Sequence, residues 1–387
     1  MVASPRPVRR VAILHNGDKY GGMEKYTLLL ARYLDPNRYR VHVIIPGYFY
    51  QLASTERFRS EVQALGIPLH QTPEHLGRNL LQYAQDCWKV AEMLHNLQIN
   101  IVHIQTSEAF SGRLVTLGAT IAGVPVLRSE HIPPSAYASP GDWRRAWPLD
   151  RLTRGILVDS AANMQDQIDT LRRSQKKLHW LHTGIDFTHL DLSYDKARAK
   201  ALLGLDVDRP VIGTVGRLEE QKGQRYLVQA ARQVLDVCPE AQFVIVGDGP
   251  LREELQEMAR ALGIADQIHF AGFLGDYVTY MEAMDIGVMP SLWEGFSLSL
   301  LEFMALSKPL VVSDHPSFTE ALTDGETALI TPMRDAEALA TALLKLLHDP
   351  ALATRLGQAA GQGVSERYSI ERLVGEMMAL YDEMVVD

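Results

Sequence analysis

Two doubly wound α/β domains, each a parallel sheet covered by helices on both faces, are the fold this sequence predicts. Three observations carry the prediction. At 387 residues the chain is longer than one hydrophobic core usually supports, so two domains are expected. Short apolar runs alternate with stretches of helical period, and such a βαβα order implies parallel strands buried on both faces. The alternation breaks once, at a polar stretch near residues 191–210, and then starts again.

Taken in order, the strand candidates of the first half are Val11–Asn16, Arg40–Ile45, Ile101–Gln105, Pro125–Ser129 and Ile156–Ser160. Helical period runs through Met23–Leu34, Leu80–Leu97, Ser111–Ala122 and Ala161–Leu171. The charged stretch Asp191–Lys200, a helix-like segment to Leu205 and Asp206-Val207-Asp208-Arg209-Pro210 read as the linker. Sharper strands follow at Val211–Val215, Phe243–Val246, Ile268–Phe270, Ile286–Met289 and Leu310–Val312, and the acidic helix Ile370–Val386 closes the chain. The expected domains are 1–190 and 191–369, with 370–387 packing back on the first. The two Rossmann-like sheets are expected to face across a cleft.

Composition narrows the function. With 47% hydrophobic and 22% charged residues this is an ordinary globular chain, without low-complexity segments. The basic start Met1–Arg10 leads only into Val11–Leu14 before His15-Asn16-Gly17, which reads as a strand and not a secretory signal. No window offers the roughly 18 apolar residues of a spanning helix. A cytoplasmic location follows, with the isolated Cys87 and Cys238 as reduced, buried thiols. A net charge of -9 speaks against nucleic-acid binding. That charge is uneven: residues 1–190 carry +6 and the remainder -15. The basic half can approach an anionic membrane surface or an acidic acceptor, although a solvated surface accounts for the same charges.

In open parallel sheets ligands collect beyond the carboxyl ends of the strands, so chemistry should follow strands. The segment Ser291–Ala305 does so. Ser297 is placed to cap a helix, which leaves Glu294 in the entering loop and Glu302 inside the helix. At helical spacing Glu302 has only Leu298, Ser299, Ala305 and Leu306, and no cation. A carboxylate there needs hydrogen-bond donors, either water in a crevice or a pair of ligand hydroxyls such as those of a ribose. The amides of Gly295, Phe296, Ser297 and Leu298 face an anion or sugar hydroxyls at the helix start.

A second segment, Val211–Gly223, delivers Arg217 and Lys222 just past a buried strand, where two cations suit a diphosphate. Pairing of Lys222 with Glu219 or Glu220 in solvent is the competing reading. In the third, His15–Glu24, the adjacent Gly21 and Gly22 permit close backbone approach to a phosphate or sugar, but no G-x-G-x-x-G fingerprint is present, which speaks against NAD. The fourth places Gly247 and Gly249 after one strand and Gly272, Phe273 and Leu274 after the next, as turn residues or as the edge of a nucleobase site. His131 follows a strand at the same end, in a structural or a functional role. Trp143-Arg144-Arg145-Ala146-Trp147 mixes cations with interfacial aromatics, which fits lipid headgroups and a surface helix equally.

Together these segments resemble glycosyltransferase family 4, the retaining, nucleotide-sugar-dependent enzymes of GT-B fold, over nearly the whole chain and most strongly from Val211 to Pro332. The resemblance implies that Glu294 and Glu302, the pair of the family's E-x7-E motif, hold the donor sugar and the ribose. It implies that Arg217 and Lys222 bind the diphosphate, that the Gly21-Gly22 loop closes over the donor phosphates, and that His131 lies near the sugar. Glu294, His131, Arg217 and Lys222 are then the catalytic candidates. The resemblance implies further that 1–190 is the acceptor-side domain and 191–369 the donor domain, with Gly247, Gly272, Phe273 and Gly295 to Leu298 completing the donor site. The chain departs from the family at Asp314–Glu320, where Pro316-Ser317 replaces a usual Gly-Gly turn, which bears on sugar or acceptor preference.

The resemblance thus implies hexosyl transfer from a UDP- or GDP-sugar to a hydroxyl acceptor, such as a lipid-linked sugar or polysaccharide. Neither a metal nor a cofactor is expected, since fixed cations can meet the charge that develops on the departing diphosphate. Asp206-Val207-Asp208 has the look of a metal motif but precedes a strand, on the side away from the expected site. A sugar-nucleotide 2-epimerase and a non-catalytic nucleotide-sugar-binding relative are the alternatives.

Overall fold

The computed structural model describes residues 8–17, 21–73, 79–190 and 196–385, with His189 described by its backbone only. Strand β1 (Arg9–Asn16) shows how the sheet is built. Val11 and Ile13 enter one apolar cluster while Ala12 and Leu14 enter another, the period of two expected of a strand buried on both faces. Six further strands join it: β2 (Tyr39–Ile45), β3 (Leu69–Gln71), β4 (Ile101–Thr106), β5 (Val126–Glu130), β6 (Gly155–Val158) and β7 (Leu178–Trp180). All pair in parallel, in the order β3-β2-β1-β4-β5-β6-β7.

Helices Leu80–Asn96 and Arg113–Ile121 cover one face with Val90, Leu94 and Val115. Helix Gly22–Tyr33 and the closing helix Ile370–Met384 cover the other with Tyr26, Leu30, Leu373, Met377 and Tyr381. The end of the chain therefore belongs to the first unit, which takes in the described residues up to Gly184 and again from Ile370. Polar contacts fasten it there. Asp382 receives Arg9 and Arg38, each at 2.6 Å, and the Tyr39 hydroxyl at 2.5 Å.

The second unit, Ile185–Ser369, repeats the design with β8 (Val211–Val215), β9 (Gln242–Val246), β10 (Ile268–Gly272), β11 (Ile286–Met289), β12 (Leu310–Ser313) and β13 (Leu329–Thr331). These strands too are parallel, in the order β10-β9-β8-β11-β12-β13. Ile212, Phe243, Ile245 and Val311 pack with helices Gln224–Val237 and Ala336–His348. Val211, Val244, Val246, Leu310 and Val312 pack on the opposite face with helix Leu298–Ala305. In each sheet the strand order reverses once, between β1 and β4 and between β8 and β11. Ligand crevices of doubly wound sheets open at such reversals.

The structure adds β3, β7 and β13, edge strands of three residues each, too short to show a period. Ser160, read as strand, caps helix Ala161–Leu171, its hydroxyl accepting the Asn163 amide at 3.1 Å. Helix Lys196–Leu202 ends before Leu205 because Gly204 turns at φ +68. The first passage between units falls at Gly184–Ile185, ahead of the polar stretch taken as linker, whose residues 191–195 lie outside the described residues. Asp206 and Asp208 sit in a turn before β8, at the opposite end of that strand from Arg217, with the Asp208 amide donating to Asp206 Oδ1 at 3.0 Å. Cys87 and Cys238 are buried free thiols.

Candidate active site

In the second unit the loops leaving β8 and β11 emerge side by side, since these strands pair directly at the reversal. Backbone contacts stitch them together. The Leu292 amide donates to the Gln221 carbonyl at 2.7 Å, and Gln221 Nε2 donates to the Trp293 carbonyl at 3.0 Å. Gly223 turns at φ +63 with its Cα so close to the Pro290 carbonyl that a Cβ would lie 2.1 Å from that oxygen. Only glycine allows this approach.

The stitching brings Lys222 to Glu294. Lys222 Nζ donates to Glu294 Oε1 at 2.6 Å, Ser291 Oγ donates to the same oxygen at 2.8 Å, and Gln221 Nε2 reaches Oε2 at 3.3 Å. The carboxylate is 6% exposed and the ammonium 19%. This is a desolvated charge pair, so the solvent pairing of Lys222 with Glu219 or Glu220 does not hold. Glu219 instead meets Arg217, at 3.2 Å, on a more exposed rim. His315 stands on the far side, its Nε2 3.4 Å from the Glu294 amide, while its Nδ1 accepts the Ser317 amide at 3.2 Å. A histidine cap and Pro316 at the first turn of the short helix Pro316–Thr319 thus occupy the departure from the family's Gly-Gly turn.

Helix Leu298–Ala305 begins right after Glu294-Gly295-Phe296-Ser297. Ser297 holds the N-cap position, but its hydroxyl makes no capping bond, which corrects the expectation from sequence. Glu302 is buried inside the helix at 3% exposure and accepts a short hydrogen bond from the Tyr277 hydroxyl, so a protein donor meets the carboxylate. At the ends of the neighbouring strands Gly216, Gly247 and Gly272 converge. The Gly216 amide donates to Val246 and the Gly247 amide to Gly272, at 2.9 and 2.8 Å. Gly247 sits at φ +136, where a Cβ would fall 1.9 Å from the Gly216 carbonyl oxygen. Phe273, just beyond, is exposed.

The first unit holds a separate constellation at the carboxyl ends of β1, β4, β5 and β6. Gly21 and Gly22 precede helix Gly22–Tyr33, yet the Gly21 amide already donates to Glu24 Oε2 at 2.7 Å, and Glu24 Oε1 lies 2.6 Å from His15 Nε2. Residues 18–20 of that loop lie outside the described residues. His131 is held at both nitrogens, Nδ1 by Asp159 Oδ2 and Nε2 by Gln105 Oε1, each at 2.7 Å. Burial by itself would lower the His131 pKa. The Asp159 carboxylate, helped by Glu24 and Glu130, outweighs that and raises it above 6.5. Beneath His131 a buried ion network spans β5 and the helices behind it. Glu130 takes the two terminal nitrogens of Arg173, at 2.6 and 3.1 Å, and Arg128 at 3.3 Å.

Sequence reasoning did not single out Asp159, Gln105, Gln221, Ser291 or Tyr277. Asp159 fell inside the strand candidate Ile156–Ser160, whereas the strand ends at Val158 and so leaves Asp159 just past it, the position that singled out His131. The others become partners only through strand order.

Comparison with known proteins gives the family of the chain. The family model "Glycosyl transferases group 1" matches residues 195–362 and "Glycosyltransferase Family 4" matches residues 20–189. Among relatives, the alpha-D-kanosaminyltransferase of Streptomyces kanamyceticus is 30% identical over 200 residues, covering 51% of this chain and 52% of that protein. The lipopolysaccharide core biosynthesis mannosyltransferase LpsB of Rhizobium meliloti is 32% identical over 212 residues, covering 52% of this chain and 60% of its own length. The chain thus spans little more than half the length of these two relatives. The solved structure of Anabaena Alr3699/HepE with UDP and glucose superposes with a TM-score of 0.83 at 21% identity, covering 96% of this chain and 99% of that one. The chain belongs to the group 1, family 4 glycosyltransferases and has their GT-B fold.

Proposed function

We propose that this protein transfers a hexosyl group from a nucleoside-diphosphate sugar to a hydroxyl acceptor, with retention of configuration and without a metal ion. The observation that carries the reading is the desolvated Lys222–Glu294 pair beside Arg217, at the reversal of the second sheet. A cation and a carboxylate there match the two halves of such a donor. Lys222 and Arg217 meet the diphosphate, and Glu294 meets sugar hydroxyls.

Breaking the bond between the anomeric carbon and the phosphate oxygen leaves negative charge on the diphosphate. Fixed cations and the amides at the start of helix Leu298–Ala305 stabilise that charge more than they stabilise bound donor, which is what lowers a barrier. Glu302, with Tyr277, holds the ribose. For retention the acceptor hydroxyl attacks from the face the diphosphate leaves, and a departing phosphate oxygen takes its proton, so the protein needs no covalent nucleophile. UDP is the first base to test, because HepE was solved with it.

A glycolipid acceptor is the reading we favour, since LpsB is named for the lipopolysaccharide core. Helix Trp143–Leu152 supports peripheral membrane contact from a cytoplasmic protein. Trp147 is 53% exposed with Arg151 stacked 4.9 Å from its ring, and Arg144 and Arg172 flank Trp143 at 5.1 and 5.2 Å. Among the described residues no helix is long and apolar enough to cross a membrane.

The test is thermal stability with UDP, GDP, ADP and NAD, each in EDTA and in magnesium. Ligand at 100 times its dissociation constant adds about 2.7 kcal/mol to the native state. Stabilisation by one diphosphate in EDTA, lost in Arg217→Ala and Glu302→Ala, supports the reading, and the matching sugar donor then enters an acceptor screen with the product anomer read by NMR. Stabilisation by NAD alone, or by no diphosphate, overturns it.

A further inference from the structure

One face of the first sheet carries helices Leu80–Asn96, Arg113–Ile121 and Trp143–Leu152 as a single layer. The strands they precede, β4, β5 and β6, advance one way across the sheet, and right-handed connections made in one direction fall on one face. Contacts agree, since helix Arg113–Ile121 packs against both of the others. In helix Leu80–Asn96 the inward side is Cys87, Val90 and Leu94. The outward side begins with Leu80, Leu81 and Trp88, which are 89%, 72% and 66% exposed. Leu81, Ala84 and Trp88 share a stripe at helical spacing, and the exposed Glu92 and His95 continue it, so only its first half is apolar. A capped start holds that half in place, Asn79 Oδ1 accepting the Gln82 amide at 2.9 Å. One exposed leucine is ordinary, but three large apolar side chains together mark a surface that something covers.

Helix Trp143–Leu152 gives the same layer its charge. Arg144, Trp147, Pro148 and Arg151 recur at helical spacing and are exposed, opposite the buried Ala146 and Leu149. Arg154 follows just outside the helix and is exposed as well. The nearby acids are already paired, Asp150 with Arg173 at 2.7 Å and Asp142 with Arg145 at 3.0 Å. Among the described residues Arg144, Arg151 and Arg154 have no carboxylate within ion-pair distance. Two of them lie over tryptophan rings instead, Arg144 over Trp143 and Arg151 over Trp147.

We propose that this layer rests on an anionic membrane, with Leu80, Leu81 and Trp88 entering the boundary between headgroups and acyl chains, and Arg144, Arg151 and Arg154 lying on the headgroups. The proposal rests on the membrane contact read from helix Trp143–Leu152 and adds the element that inserts. Charge selects the occupant. Arginines without carboxylates attract anionic lipid, and the apolar stripe beside them finds its cover in the same surface. A two-fold dimer across this layer would set the arginines against their own kind or against the apolar stripe, and neither pairing neutralises them. The placement suits a glycolipid acceptor. Helix Leu80–Asn96 runs back against the parallel strands, so its first turn lies at their carboxyl ends, the edge where His131 follows β5. An acceptor anchored by its lipid then arrives at that edge.

The experiment is vesicle flotation of the full chain, on phosphatidylcholine alone and on equal parts of phosphatidylcholine and phosphatidylglycerol, at low and high salt. Binding to the anionic vesicles, weakened by salt, is expected. Arg144→Gln, Arg151→Gln and Arg154→Gln together should weaken it by about a hundredfold. Leu81→Gln with Trp88→Gln should weaken it by about tenfold or more at either salt concentration, because what they remove is apolar burial. Trp88→Phe should keep binding and lose most of the tryptophan quenching by lipids brominated on their acyl chains. All these side chains are exposed, so urea midpoints and UDP binding by calorimetry should match the unsubstituted protein. Anionic binding that falls in the arginine variant but not in Leu81→Gln with Trp88→Gln overturns the insertion and leaves the contact of helix Trp143–Leu152 standing. No binding to either vesicle overturns both, while UDP binding decides the glycosyl-transfer reading separately. A dimer in light scattering that Leu81→Gln with Trp88→Gln dissociates assigns the face to a second copy and overturns the proposal.

Discussion

Replacing Glu294 by glutamine should tighten the binding of UDP while weakening the use of a UDP-sugar, because the carboxylate competes with the diphosphate for Lys222. Glutamine keeps the shape of the side chain and an oxygen for Ser291 Oγ, now 2.8 Å away, but removes the charge that Lys222 contacts at 2.6 Å. Two unit charges 4 Å apart interact by about 4 kcal/mol at an effective dielectric constant of 20. The coupling measured for contacting charged residues, net of desolvation, is about 0.5–3 kcal/mol. Released from that partner, Lys222 should hold UDP about 2- to 150-fold more tightly. The sugar-bearing donor gains the same phosphate contact but loses a charged hydrogen-bond acceptor for its hydroxyls, about 1.5–3 kcal/mol, so the ratio of the two affinities shifts against it. Calorimetry of UDP and UDP-glucose on the two proteins reads both numbers. If Glu294→Gln left UDP binding unchanged or weakened it, competition for Lys222 would be refuted, and the pair would be a structural clasp.

Three further outcomes follow from the geometry. Gly247→Ala places a Cβ 1.9 Å from the Gly216 carbonyl at a φ of +136, so urea denaturation should show a loss of about 3 kcal/mol or more, whereas Gly275→Ala, which meets open space, should stay within about 0.5 kcal/mol. Arg173→Met leaves the buried Glu130 with Arg128 as its remaining guanidinium and should cost about 3–5 kcal/mol; a value under 1 kcal/mol would mean the network is wetter than its burial says. Stability should also fall on mild acidification. Burial holds His42 down to about 4 and His103 to about 3, against 6.5 in the unfolded chain, so both stabilise above pH 6.5 and lose that contribution as pH falls towards those values. The expected slope is about 1.4 kcal/mol per pH unit at 6.5, rising towards about 2.7 near pH 5. His131 runs the other way: with its pKa raised, its contribution is complete below 6.5 and lost as pH rises through the folded value. Tryptophan-monitored urea titrations from pH 5 to 9 check both signs, and a flat profile between 6.5 and 5 would contradict the burial of His42 and His103.

The strands were legible where they are long and apolar. Val211–Val215 and Ile286–Met289 stand where the apolar runs put them, because burial on both faces leaves no charged residue to blur the ends. The edge strands β3, β7 and β13 were not legible. Three residues carry no period, and an edge strand draws its register from the neighbour it pairs with. Arg217, Lys222 and Glu294 could be named as site candidates because each follows a strand, but who pairs with whom could not. The sequence offers Lys222 two acidic neighbours within three residues, and the fold passes them over for Glu294, 72 positions away. That choice is made by the reversal between β8 and β11, a property of strand order on which local composition is silent.

The same reasoning accounts for what was missed around His131. A histidine after a strand reads as ambiguous, since nothing local says whether it is charged. Its surroundings are set by Gln105 on β4 and Asp159 just past β6, 26 and 28 positions away, and His103, two residues before Gln105, meets Tyr381 278 positions further on. The closing helix reached that place for an apolar reason: Leu373, Met377 and Tyr381 cover the face of the first sheet that Val11, Ile13 and Leu127 present. One hydroxyl carried in with that apolar stripe then meets the one buried imidazole on β4. A hydrophobic seam and a buried hydrogen bond are therefore parts of one packing event. Tyr381→Phe separates them: it keeps the seam and removes only the oxygen. This variant should lose about 1–3 kcal/mol in urea denaturation, since the buried His103 Nδ1 is left without its hydroxyl partner. A loss under about 0.5 kcal/mol would mean that the apolar seam alone fixes the closing helix.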